Sequence, residues 1–144
     1  MEAEAIANVL GGRKVLGKAV RTPDGLAKLI RSGLPAGSVT ALARRLSVAN
    51  AELSQKLGIP QRTLTRRLSQ RGRLTAAESD RAARLARVYA NAIEMIGDEE
   101  RAIQWFLTPN RALDGQRPFD QIDTDVGSRE VEDLLGRIAY GVYS

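Results

Sequence analysis

Residues Asn50 to Leu68 read NAELSQKLGIPQRTLTRRL, and this run has the spacing of two short helices joined by a tight turn. Leu53 and Leu57 on the first helix, Ile59 in the turn, and Leu64 and Leu68 on the second can close one small core. Gly58 allows the left-handed backbone that the turn needs, and Ser54 is small enough to let the helices cross closely. Gln61, Arg62, Thr65, Arg66 and Ser69 then share the outer face of the second helix, with Thr63 and Arg67 at its flanks. A helix-turn-helix lays such a face in the DNA major groove, its N-terminal residues nearest the bases. Gln61 and Arg62 are therefore the expected base readers, and Arg66, Arg67, Arg71 and Arg73, joined by Arg44 and Arg45, the expected phosphate contacts. Six neutralised phosphates would give a log-log salt slope of about −5. The same residues also suit a solvated helical hairpin used for docking or dimerisation, and Arg67 stands where many such motifs carry their last buried aliphatic side chain.

Charge separates along the chain. Residues 37 to 87 hold eleven Lys/Arg and three Asp/Glu, a net +8, whereas residues 88 to 144 hold five and eleven, a net −6, and residues 1 to 36 contribute +3. The whole-chain value of +5 averages two opposite parts, which points to a nucleic-acid-facing centre and a C-terminal part facing something else. With 144 residues and 43 % apolar content, the chain can bury a real core.

The absence of cysteine and histidine excludes disulfides, zinc fingers, thiolate nucleophiles and imidazole bases. Neighbouring carboxylates such as Glu99/Glu100 and Glu132/Asp133 diverge by about 100° on a helix and cannot share a site. No phosphate-cradling glycine loop or metal-ligand spacing is present, so neither catalysis nor a cofactor or metal is expected. No run approaches the roughly 18 apolar residues of a membrane span. The expectation is a soluble cytoplasmic protein with no membrane partner.

Outside the central run the pattern is also helical. Residues 1 to 20 show no sustained period and read as a loose or weakly helical lead-in. Thr22-Pro23 starts a short helix stopped by Gly33, and Ser38 can cap the next, with Val39, Leu42, Ala43 and Leu46 on its inner face. Thr75 and Glu78 have the spacing of a capping box ahead of a long amphipathic helix, whose inner stripe runs from Ala82 to Ile96 before Gly97. Asp98 caps a helix carrying Trp105 and Phe106, the latter expected in the core. A turn-rich stretch covers 109 to 121, and a last helix starts near Thr124 or Asp125 with Val131, Leu134, Leu135 and Ile138 on one stripe, ending at Gly141. No segment has the strand period, so the fold class is all-α. Tyr140 and Val142 either seal the end of the last helix or face a partner, and Tyr143 is the stronger interface candidate.

The C-terminal run Arg117-Pro118-Phe119-Asp120, then Gly127-Ser128-Arg129-Glu130-Val131-Glu132-Asp133-Leu134-Leu135-Gly136-Arg137-Ile138 and Tyr140-Gly141-Val142-Tyr143-Ser144, closely resembles the toxin-binding domain of the Xre/ParS/MbcA-type antitoxins. The resemblance continues upstream through Trp105-Phe106-Leu107, Arg66-Arg67-Leu68 and Gly58-Ile59 to Gly33-Leu34-Pro35, and covers about residues 26 to 144. It implies an Xre-like helix-turn-helix region over 26–87 and a small helical toxin-binding domain over 88–144, and leaves residues 1–25 as an N-terminal lead-in that it does not cover. It further implies a type II toxin-antitoxin module whose partner is most often a RES-domain toxin that degrades NAD, with a related ADP-ribosylating toxin as the alternative. In that family the C-terminal domain covers the toxin's active site, and the helix-turn-helix represses the shared operon. Carried onto this chain, Arg129, Glu132, Arg137, Tyr140, Val142, Tyr143 and Ser144 become toxin contacts, and Arg44, Arg45, Gln61, Arg62, Thr63, Thr65, Arg66 and Arg67 face operator DNA. A homodimer is expected if the operator is an inverted repeat. The residues alone leave two rivals: a stand-alone helix-turn-helix regulator, and an adaptor with no DNA role.

Overall fold

A computed structural model describes residues 2–139 of the chain. Tyr140, Val142, Tyr143, Ser144 and the expected helix end at Gly141 lie outside the described residues. Ten α-helices, α1 to α10, and one 3-10 turn account for the regular structure there, and the only β features are the isolated bridges Pro35–Arg73 and Asn110–Gln116. The fold is all-α. No described helix is long and apolar enough to cross a membrane. The chain divides into two compact units, residues 1–86 and 87–144.

The first unit holds α1 (Glu2–Val9), α2 (Gly12–Leu16), α3 (Pro23–Ser32), α4 (Gly37–Leu46), α5 (Asn50–Lys56), α6 (Gln61–Ser69) and the first half of α7 (Ala76–Ile96). The opening segment is not loose. Ala3, Ile6, Ala7 and Leu10 are buried and repeat at i, i+3, i+4 and i+7, so α1 is an amphipathic core helix whose stripe is half alanine. Counting only large apolar residues hides that period. Thr22 caps α3 as expected, its hydroxyl accepting from Gly25 N–H at 3.0 Å. Ser38 does not cap α4. That helix already starts at Gly37, and Ser38 lies fully buried in its first turn with its hydroxyl unpaired among the described residues.

The turn between α5 and α6 is built as its residues dictate. Gly58 has φ +71°, and Ile59 N–H donates to the Ser54 carbonyl at 2.9 Å while the Ser54 hydroxyl donates to the Ile59 carbonyl. Leu53, Leu57, Ile59 and Leu64 are buried, and Leu68 is half-buried. Three polar links fasten this hairpin and the α3–α4 connection to α7. Arg81 Nε donates to the Leu57 carbonyl at 2.8 Å, Leu34 N–H donates to the Ser79 hydroxyl at 2.8 Å, and the Arg67 guanidinium pairs with the Glu78 carboxylate. Gly33 permits the close approach beside them: with φ +97°, an added Cβ would lie 2.3 Å from the Leu74 carbonyl oxygen.

The second unit holds the rest of α7, α8 (Glu99–Phe106), the 3-10 turn Arg111–Leu113, α9 (Pro118–Gln121) and α10 (Asp125–Ala139). Its core is aromatic. Phe106 stands 5.8 Å from Tyr89 and 5.9 Å from Phe119, ring centre to ring centre, and all three are fully buried. Asp98 caps α8 by accepting from Arg101 N–H at 3.3 Å, and Thr124 caps α10 by accepting from Gly127 N–H at 2.9 Å. Arg87 on α7 reaches Glu132 on α10 through two hydrogen bonds of 3.0 and 3.3 Å.

Glu78 serves two partners at once. It accepts from Thr75 N–H at 2.8 Å while the Thr75 hydroxyl accepts from Glu78 N–H at 3.1 Å, which is the capping box, and it also holds Arg67. Burial pushes its carboxyl upward, but the Thr75 amide and the Arg67 guanidinium outweigh that and hold it below the ordinary 4.5. A depressed carboxyl stabilises the fold above its unfolded pKa, and that contribution is lost as pH falls through the lower folded value. Glu78→Gln is therefore expected to destabilise the protein by about 2 kcal/mol at pH 7, with the deficit shrinking progressively below about pH 4. Thermal unfolding of both proteins across that range checks this, and a deficit independent of pH contradicts it.

Candidate functional site

Two surfaces emerge, one on each unit. On the first, Gln61, Arg62, Thr65, Arg66 and Ser69 are all exposed, and at 100° per residue they span an arc of about 140° on α6, with Leu64 on the opposite, buried side. Thr63 is half-buried at the edge of that arc. Pro60 immediately precedes the helix, so the first turn carries Gln61 and Arg62 at its open end. The outer face expected from the sequence is thus assembled on one helix.

The basic residues around it divide into two groups. Arg44, Arg62, Arg66 and Arg71 are exposed with no described side-chain partner, and Arg71 adopts φ +51° in the bend after α6. Arg45, Arg67 and Arg73, also expected at phosphates, each have a partner within the chain. Arg45 donates to the Asn8 side-chain oxygen at 2.9 Å, Arg67 pairs with Glu78, and Arg73 donates to the Gly33 carbonyl at 2.7 Å. Arg81, Arg84 and Arg87 likewise have intramolecular partners in Leu57, Asp80 and Glu132. Much of the central +8 therefore holds helices together, and a sum of charges cannot separate these arginines from the free ones. The sequence did carry one signal, since Arg67 stands at a position normally buried and needs a buried anion such as Glu78 to stand there.

On the second unit, Asp125, Val126, Arg129, Glu130, Asp133 and Arg137 form one exposed strip along α10. Val131, Leu134 and Leu135 are buried on the far side. Of the expected partner contacts, Arg129 and Arg137 lie on this strip, Arg129 paired with Asp125 at 3.0 Å across one turn. Glu132 lies off it, half-buried and held by Arg87. Val126 is a surface residue that sequence reasoning missed: its side chain is 70 % exposed, outside the apolar stripe. Beside the end of α10 is an open groove of about 400 Å³, lined by Ile96, Arg101, Gln104, Trp105 and Ile138 among others. Trp105 is half-buried there, whereas Phe106 is in the core as expected. Among the described residues no group of Asp or Glu could hold a metal ion.

Comparison with known proteins assigns a family to both regions. Residues 25–87 match the antitoxin Xre-like helix-turn-helix domain, and residues 91–141 match the antitoxin Xre/MbcA/ParS C-terminal toxin-binding domain. The chain is 38 % identical over 116 residues to a Yersinia enterocolitica protein named antitoxin Xre, covering 80 % of this chain and 78 % of that one. It is 34 % identical over 117 residues to the antitoxin Xre of Photorhabdus laumondii, covering 81 % and 79 %. A chain of the crystal structure of the M. tuberculosis MbcT-MbcA toxin-antitoxin complex superposes with a TM-score of 0.56 at 25 % identity, covering 76 % of this chain and 96 % of that one. With a helix-turn-helix carrying a free basic face and a toxin-binding domain built on an aromatic core, the chain belongs to the Xre/MbcA/ParS family of antitoxins.

Proposed function

We propose that this protein is the antitoxin of a two-gene module, neutralising a cognate toxin through residues 88–144 and repressing its own operon through the helix-turn-helix in residues 26–87. The observation that carries this reading is the match of both regions, one after the other, to antitoxin domains, together with the opposite charges of the two parts. The toxin is of the RES-domain class that degrades NAD, the partner that the C-terminal resemblance implies; an ADP-ribosylating toxin is the alternative. Neutralisation runs through the exposed strip of α10, with Arg129 and Arg137, and continues into Tyr140, Val142, Tyr143 and Ser144, which cover the toxin's active site. Val126 adds an exposed apolar contact to a strip otherwise charged. Glu132, whose two carboxylate oxygens both accept from Arg87, positions α10.

At DNA, Gln61 and Arg62 read base edges while Thr65 contacts the groove wall. Arg66, Arg44 and Arg71 neutralise phosphates, and Arg45 and Arg67 support this surface from within. Three free phosphate-facing cations give this surface a log-log salt slope of about −2.7, shallower than six would. The operator-bound form is a homodimer on an inverted repeat. The apolar stripe of α7 is already buried within the chain from Ala82 to Ala92, so the dimer contact does not use it.

Two experiments test this. Expression of the adjacent reading frame alone should arrest growth, and co-expression of this chain should restore it; Val126→Asp with Arg129→Glu should lower that rescue at least tenfold while leaving DNA binding intact. A harmless neighbour, or full rescue by the double variant, contradicts the neutralisation surface. Arg62→Ala with Arg66→Ala should weaken binding to the upstream region by about 2 to 4 kcal/mol and leave rescue intact. Unchanged affinity, measured by fluorescence anisotropy, would place the DNA surface elsewhere.

A further inference from the structure

Outside both matched domains, the first unit carries a basic groove. Residues 4–21 fold so that Arg13, on α2, faces Lys18 and Arg21, on the segment after it, across an open groove of about 180 Å³. Gly17 makes this possible: at φ +84° it ends α2 and turns the chain back, and buried Val20 fixes the returning segment. All three cations are exposed and have no described partner. Among the described residues Glu4 is the one carboxylate lining the groove, and the lining side chains sum to a net +2. Its apolar lining is confined to two alanines and Val20, so it offers a protein partner little surface to bury and an anion much charge to meet.

The groove is fastened to α4, the helix that precedes the helix-turn-helix. Its Asn8 wall accepts the hydrogen bond from Arg45, at the C-terminal end of α4, where Arg44 is exposed and from which three residues lead into α5. Cations of the groove, of α4 and of α6 therefore belong to one compact unit, in which a side-chain hydrogen bond ties α1 to α4.

We propose that this groove is a second contact for the DNA phosphate backbone, lying beside the helix-turn-helix and adding affinity without sequence preference. The proposal rests on the DNA-binding reading of α6. It gives the opening segment, which lies outside residues 25–87, a binding role alongside its packing role. Three further phosphates steepen the salt slope by about 2.7, so the whole protein should show about −5.4 where the helix-turn-helix cations alone give about −2.7.

The test is anisotropy of the full-length protein between 50 and 200 mM salt, on a duplex carrying the region upstream of its own reading frame and on a scrambled duplex of equal length. Arg13→Gln, Lys18→Gln and Arg21→Gln together should make the slope shallower by 2 to 3 and weaken both duplexes by the same factor. Glu4→Gln should tighten both several-fold, a gain that misfolding cannot mimic. If the triple variant keeps its slope and affinity while Arg62→Ala with Arg66→Ala loses binding, the groove proposal is overturned and the DNA reading of α6 stands. If the triple variant keeps DNA binding but loses capture of the adjacent gene's product, the groove serves a protein partner and the proposal again falls. Absence of salt-dependent DNA binding by the unaltered protein removes both readings together.

Discussion

The pairing of Arg67 with Glu78 is the constraint around which the first unit is arranged. Arg67 faces inward from the helix that must present Arg62 and Arg66 outward, and Glu78 is already committed to the capping box that starts α7. One carboxylate thus sets where the long helix begins and how α6 lies against it. A half-buried arginine without such a partner would cost several kcal/mol, so the two residues are coupled in stability and in placement. Arg81 on the Leu57 carbonyl and Ser79 on the Leu34 amide extend the same attachment along α7. The exposed face of α6 is accordingly held in place against α7, as the proposed base reading requires.

The charge arithmetic of the sequence has a different meaning once partners are known. Arginines in the central region divide between those that hold helices together and those that face solvent, and only the second kind can release counterions from DNA. The acidic C-terminal part behaves similarly. Glu132 is tied to Arg87, while Glu130 and Asp133 remain on the open strip beside Arg129 and Arg137. Net charge marks the part proposed to meet DNA; individual hydrogen bonds separate its exposed arginines from those engaged within the chain.

Much of the fold was legible because local chemistry sets it. The Thr22, Thr75, Asp98 and Thr124 caps and the Gly58 turn are each specified by residues within three or four positions. The opening helices were illegible because half of the α1 stripe is alanine, whose burial depends on a neighbour close enough to pack against it. Ser38 misled because a hydroxyl next to a helix start looks like a cap, whereas the helix begins one residue earlier and buries it. The roles of Arg45, Arg67 and Arg73 were hidden for a long-range reason: their partners lie 37, 11 and 40 residues away.

The two proposed binding surfaces, for a toxin on one unit and for DNA on the other, are separate. Amide hydrogen exchange of the protein alone, with the adjacent gene's product, and with its upstream duplex tests that separation directly. The account predicts that the protein partner protects α10 and the groove beside Trp105 and leaves α6 unchanged, and that the duplex protects α6 and leaves α10 unchanged. Protection of α6 by the protein partner with no change along α10 would contradict it.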